Sequence, residues 1–202
     1  MPSRRTFLAG ISAAAMVAAA PAIAAPIDLS RLSQYLNAMK TAQAEFTQVN
    51  ADGTISTGQI YIQRPGRVRF DYNAPDETLV MAGGGQVAIF DGGSNSKRPE
   101  QYPLARTPLK IILEANVNLG QAGMVTGHRQ DGVKTIVTAQ DPANPQYGRI
   151  EMVFTDNPVQ LRQWVITDNG GSQTTVILGD LRAGGSFPAR YFSIPNEISS
   201  RS

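Results

Sequence analysis

The chain holds one histidine, His128, in the run Thr126-Gly127-His128-Arg129-Gln130, and no cysteine. An isolated imidazole on a strand-like segment reads as a surface or hydrogen-bonded residue rather than a catalytic base. No cluster of His, Asp and Glu has metal-ligand spacing, and no Gly-x-Ser-x-Gly elbow occurs. Without cysteine there is no thiol catalysis, no Cys-type metal site, no disulfide and no N-terminal cysteine to acylate. Gly83-Gly84-Gly85 would suit a phosphate loop only if a helix followed it. The next residues, Gln86-Val87-Ala88-Ile89-Phe90, read as a strand, so the glycines mark a hairpin turn. Asp71, Glu77 and Glu151 are carboxylates on strand-like runs, and nothing in the sequence pairs them across a cleft. These residues predict no enzyme, no cofactor and no metal.

The elements around them explain what the chain is built for. Ser3-Arg4-Arg5-Thr6-Phe7-Leu8, an Ala-rich run from Ala9 to Ala20, and Ala22-Ile23-Ala24 together have the charged start, short apolar stretch and small-x-small end of an export signal. The paired arginines before Phe-Leu resemble a twin-arginine leader. Cleavage is expected near Ala24/Ala25, and no other stretch approaches transmembrane length. The whole sequence has 18 Lys and Arg against 16 Asp and Glu; two of the 18, Arg4 and Arg5, lie in the leader, so residues 26–202 are balanced. A neutral exported chain has no general electrostatic pull toward nucleic acid or an anionic membrane. With 42% apolar residues in 202, it fits one β-rich domain over residues 26–202.

Leu29, Leu32, Leu36 and Met39 recur at helical spacing after Asp28, a candidate N-cap. From about Ala44 the period becomes two. Ile60 and Ile62 alternate with Tyr61 and Gln63, Val68, Phe70 and Tyr72 with Arg67, Arg69 and Asp71, and Ile150, Met152 and Phe154 with Arg149, Glu151 and Val153. Trp164-Val165-Ile166 and Thr175-Val176-Ile177-Leu178 continue the pattern. Turn residues at Pro65-Gly66, Gly92-Gly93, Asp131-Gly132 and Asn169-Gly170-Gly171 separate the runs, giving about nine to eleven antiparallel strands. Thr107 as N-cap and Pro108 at the first helical position predict a short helix over 107–114, with Leu109, Ile112 and Leu113 on its apolar face.

Face arithmetic singles out one charge. Ile60, Ile62 and Arg64 share a side of their strand, so if the apolar faces look inward, Arg67 and Arg69 are solvated and Arg64 is directed inward. Either Arg64 snorkels its head back into water at the strand end, or its rigid fork of donors holds backbone carbonyls near a cavity mouth. The inserted helix has C-terminal carbonyls in need of donors.

The run Gly58-Gln59-Ile60-Tyr61-Ile62-Gln63-Arg64-Pro65-Gly66-Arg67-Val68-Arg69-Phe70 resembles the signature region of the LolA family of periplasmic lipoprotein carriers. Ala44-Glu45-Phe46-Thr47-Gln48, Thr107-Pro108-Leu109, and the stretch from Phe154 to Trp164 fall in similar order, so the resemblance spans nearly all of the chain after the leader. It implies a mainly β fold: an incomplete, half-open antiparallel barrel with an N-terminal helix and an inserted helical lid over an apolar cavity. It also implies a monomeric periplasmic carrier. Such a carrier accepts lipoproteins released by an inner-membrane ABC-type, ATP-driven complex, shields their acyl chains and passes them to an outer-membrane acceptor. The resemblance assigns the lid latch to Arg64. It assigns the acyl-chain cavity to Phe46, Ile60, Ile62, Val68, Phe70, Leu109 and Ile112, with Leu109 and Ile112 on the lid. A periplasmic module that senses or binds lipid or lipoprotein without delivering it, and an exported hydrolase, are the alternatives.

Overall fold

The computed structural model describes residues 25–94 and 98–201. The expected leader with Arg4 and Arg5, and the twin-arginine reading of it, lie outside those residues. Helix α1 (Leu29–Ala38) comes first and buries Leu32 and Leu36 completely. Asp28 occupies its N-cap position, but the carboxylate makes no capping bond. Tertiary contacts hold the helix instead. The Ser33 hydroxyl donates to Leu29 O at 2.7 Å and accepts from the Leu119 N–H at 3.0 Å.

Among the described residues twelve strands follow, all pairing antiparallel. They are β1 (Thr41–Val49), β2 (Ile55–Gln63), β3 (Arg67–Tyr72), β4 (Leu79–Gly83), β5 (Gln86–Phe90), β6 (Glu100–Pro103), β7 (Val125–Asp131), β8 (Lys134–Gln140), β9 (Arg149–Thr155), β10 (Gln160–Thr167), β11 (Gln173–Leu178) and the two-residue β12 (Arg182–Ala183). The sheet order is β6-β5-β4-β3-β2-β1-β11-β10-β9-β8-β7, with β12 beside β1. Two meanders are therefore joined where β1 lies against β11, and the edge strands β6 and β7 do not pair, so the barrel stays open. The count exceeds the expected nine to eleven because β6 and β12 are too short to show a period. No helix among the described residues is long and apolar enough to cross a membrane.

Cross-strand register carries apolar rows across one face. Ala44, Ile60, Phe70, Val80 and Ile89 are successive partners; so are Ala42, Ile62, Val68, Ala82, Val87 and Tyr102. This is the face that period two predicts for burial. Residues 104–124, which connect β6 to β7, contribute Leu104, Ile111, Ile112, Leu113, Val117 and Leu119 to its core, and α1 adds Leu32 and Leu36. The segment contains a 3-10 turn at Leu104–Arg106 and one turn of α-helix, α2 (Lys110–Leu113).

The opposite face of β4 and β5 is covered too, by an element without a sequence forecast. Helix α3 (Ile194–Ser200) sets Ile194 and Ile198 against Leu79, Met81, Ala88 and Phe90. The approach is so close at Gly83 that a Cβ there would sit 2.1 Å from the Phe192 carbonyl oxygen. Arg69, expected in solvent, is instead closed in. Its guanidinium bonds Asp71 at 2.8 Å, Glu197 at 3.0 Å and the Tyr191 carbonyl at 3.3 Å, and lies 4.7 Å from the Tyr191 ring centroid.

Burial by itself would raise the Glu197 pKa, but hydrogen bonds from Arg201 and Arg69, with their charges, hold it below the ordinary glutamate range. The stabilisation is therefore present above that range and is lost as pH falls through the native value. Glu197→Gln is expected to cost about 1–2 kcal/mol near neutral pH, with a deficit that shrinks in acid. Thermal melts of both proteins across pH check this; a deficit independent of pH would contradict the clamp.

Candidate functional site

Between the concave face and the chain that crosses it at residues 106–109 lies a cavity of about 620 Å³, within the range of small-molecule sites, roughly 300–1,000 Å³. Phe70, Tyr72, Val80, Val87, Ile89, Trp164, Ile166 and Val176 line it from the sheet, and Pro108 and Leu109 from the crossing segment. Polar groups are fewer: Gln48, Arg106, Thr107, Asp168, Asn169 and Thr174 are among them. Such a surface favours hydrocarbon.

An edge-on aromatic series stiffens the wall. The Phe46 ring meets Phe70 at 5.4 Å and Tyr72 at 5.1 Å, and Phe70 meets Trp164 at 6.4 Å. Phe46 lies opposite Gly58, where a Cβ would come 2.8 Å from the Phe46 ring and 2.1 Å from the Asp71 carbonyl oxygen. Glycine here leaves room for the ring against β2.

The seven residues assigned to the cavity separate into three groups. Phe70 and Leu109 line it. Phe46 backs it through its ring contacts. Ile60, Ile62, Val68 and Ile112, at 0, 1, 2 and 1% exposure, do not line the void; they belong to the closed core that the sheet shares with α1 and residues 111–119. The free volume lies toward Tyr72, Trp164 and Ile166 instead. The β10 and β11 wall was missed because residues close in space there are far apart in sequence, and alternation says nothing about which strands meet.

The inserted helix is also shorter than expected. Thr107 does not cap it, since its hydroxyl donates back to Leu104 O at 2.9 Å. Entry to α2 is through three-residue bonds, Lys110 N to Thr107 O at 3.2 Å, Ile111 N to Pro108 O at 3.1 Å and Ile112 N to Leu109 O at 3.2 Å, a geometry used only in short pieces. The terminal carbonyls find donors on the β2–β3 turn: Leu113 O accepts from Gly66 N at 2.8 Å, and Glu114 O from the guanidinium of Arg64.

Arg64 is 5% exposed, so its head is not in water. Besides Glu114 O, the guanidinium donates to Leu36 O, to Met39 O at 3.5 Å and to Asn37 Oδ1 at 3.2 Å. Asn37 in turn donates to Val117 O and accepts from Val117 N, both at 2.8 Å. One side chain thus joins the end of β2, the C-terminus of α1 and the exit of α2. Burial lowers the Arg64 pKa while the Glu114 charge acts the other way, and an arginine so placed stays cationic. The Glu114 carboxyl is pushed up, chiefly by burial, with Lys110 opposing and Asp141 assisting the shift. Lys110 Nζ meets Asp141 at 2.6 Å and ties α2 to the β8–β9 connection, a tether without a sequence signal.

Among the described residues no group of three or more His, Cys, Asp or Glu side chains could hold a metal ion. His128 lies on β7, and its Nε2 is 2.9 Å from the Ile27 carbonyl oxygen.

Residues 37–195 match the family described as "Outer membrane lipoprotein carrier protein LolA". The outer-membrane lipoprotein carrier protein of Azotobacter vinelandii is 24% identical over 195 residues, 93% of each chain. That of Methylococcus capsulatus is 28% identical over 167 residues, 77% of each. A LolA superfamily protein from Nitrosomonas europaea superposes with a TM-score of 0.43 at 7% identity, over 84% of this chain and 99% of the other.

The packing at Gly58 leaves no slack, so Gly58→Ala is expected to lower stability by about 2–3 kcal/mol. Urea unfolding measures this, and unchanged stability would mean that β3 can move aside.

Proposed function

The chain belongs to the LolA family of outer-membrane lipoprotein carriers, and from that premise we propose that the cavity takes the acyl chains of lipoproteins and that Arg64 is the latch that keeps it closed when empty. Members of this family are carriers, not enzymes. The observation that carries the reading is the buried Arg64 guanidinium bridging α1 and the exit of α2, the segment whose entry, at Pro108 and Leu109, lines an apolar cavity.

Burying an acyl chain contributes about 0.8 kcal/mol per CH₂, so lipidated cargo cannot cross water unshielded. A site that fitted the chains without reserve would hold them too tightly to pass on. In this reading the empty state closes residues 107–117 onto the sheet, and cargo competes with the Arg64 bonds for that segment. Its lifting uncovers Ile60, Ile62, Val68 and Ile112 and joins them to the wall formed by Phe70 and Leu109, backed by Phe46. Each hydrogen bond lost costs about 0.5–1.5 kcal/mol, little enough to be repaid by bound hydrocarbon. Residues 26–202 act as one monomeric carrier domain in the periplasm. Lipoproteins enter from an inner-membrane ABC-type releasing complex and leave to an outer-membrane acceptor.

The exported chain, added to spheroplasts that synthesise labelled lipoproteins with the cognate releasing complex, is expected to draw label into the medium as a stoichiometric soluble complex. Absence of release would refute the carrier reading. Arg64→Leu is expected to load and then retain cargo, lowering transfer to acceptor membranes by roughly tenfold, the effect of about 1.4 kcal/mol. Transfer at the normal rate would refute the latch.

A further inference from the structure

On the cavity wall, which is mostly apolar, two polar side chains meet directly. Gln48 of β1 and Tyr72 of β3 both line the void. The Tyr72 hydroxyl donates to Gln48 Oε1 at 2.7 Å, and Gln48 Nε2 donates one proton to Asn50 Oδ1 at 2.6 Å. Asn50 is itself held, its amide donating to Thr54 Oγ1 at 2.9 Å and Ser56 Oγ at 3.3 Å. The plane of the Gln48 amide is therefore fixed from both sides. Burial pushes the Tyr72 phenol up to about 12, so it remains a donor throughout the neutral range.

A primary amide has two N–H donors, and among the described residues only one of those on Gln48 is taken. In the empty cavity water can satisfy the second. Hydrocarbon that fills the cavity removes the water and leaves the donor unpaired, which is unfavourable. A ligand that brings an uncharged acceptor to the same place avoids that loss. The carbonyl where an acyl chain joins glycerol or an amine is such an acceptor.

We infer that Gln48 is the carbonyl-recognising residue of the cavity, with Tyr72 and Asn50 as the residues that position it. Its free N–H takes the ester or amide carbonyl at the head of an acyl chain and separates acyl lipids from ether lipids and plain hydrocarbon. The inference rests on the acyl-binding reading of the cavity and adds a chemical selectivity to it.

Two matched pairs of ligands test it on the exported chain by calorimetric titration. One is a diacylglyceryl-cysteine lipopeptide and its dialkyl-ether counterpart; the other is phosphatidylglycerol and its dialkyl-ether counterpart. The acyl member of a pair is expected to bind roughly three- to tenfold more tightly than the ether member, the range of one hydrogen bond. Gln48→Leu should erase that ratio and retain ether-lipid affinity. Tyr72→Phe, which keeps the ring, should reduce the ratio at least about twofold by freeing the amide to rotate. Selectivity in the lipopeptide pair identifies a lipoprotein as the source of the carbonyl, and selectivity confined to the phospholipid pair identifies a membrane lipid. Equal binding of acyl and ether members by the wild type, or selectivity that survives both substitutions, overturns the inference while leaving the acyl cavity intact. Failure of every ligand to bind overturns the acyl cavity as well.

Discussion

An antiparallel sheet that curls without joining its edge strands has an apolar concave face to bury, and the covering must come from the same chain. Here residues 104–124 and α1 supply it. Ile111, Ile112 and Leu113 are almost fully buried, and each such side chain contributes roughly 1.5–3 kcal/mol. That force has no direction, however. The position of the covering segment is set by polar groups at its end, and the Arg64 guanidinium is the centre of them. A buried cation is costly unless donors and field are satisfied. The carbonyls of Leu36 and Met39, at the negative end of α1, supply the field and accept from one terminal nitrogen; Asn37 Oδ1 and Glu114 O accept from the other, and Nε alone of the guanidinium is buried without a partner among the described residues.

Much of this was legible because side-chain direction along a strand is a local property. Ile60, Ile62 and Arg64 lie on the inward side that alternation assigns them, as do Val68 and Phe70, and of the leucines spaced along α1, Leu32 and Leu36 are buried while Leu29 is partly so. Distant pairing is not local. β1 and β11 come from opposite ends of the chain, so Trp164, Ile166 and Val176 could be recognised as strand residues but not as the far wall of a cavity. The helix-start signal at Thr107-Pro108 failed for a related reason. The Thr107 hydroxyl had a better partner in the preceding turn, a competition that tertiary context decides. The parity that directs Arg64 inward directs Arg69 to solvent, and Tyr191 and Glu197, more than a hundred positions away, close over it instead.

That C-terminal segment divides the sheet mechanically. Its aromatic residues Phe187, Tyr191 and Phe192 pack with one another and with Tyr61. α3 closes over β4 and β5. The arm from β2 to β5 therefore has packing on both faces, and a sheet filled on both sides resists bending. Residues that line the cavity from this arm, Phe70, Val80 and Ile89, are held by neighbours behind as well as beside them.

The chain path across the open side has a consequence of its own. Residues 104–124 leave from β6, one edge of the sheet, and return at β7, the other. A flap is free at one end and can swing away; this segment is fastened at both and behaves as a strap. It can lift from the sheet but stays tied across the open side, so whatever occupies the space beneath enters past the strap rather than by its removal. The same strap limits how far the two edges can spread, and chain connectivity alone therefore sets an upper bound on the width of what can be enclosed.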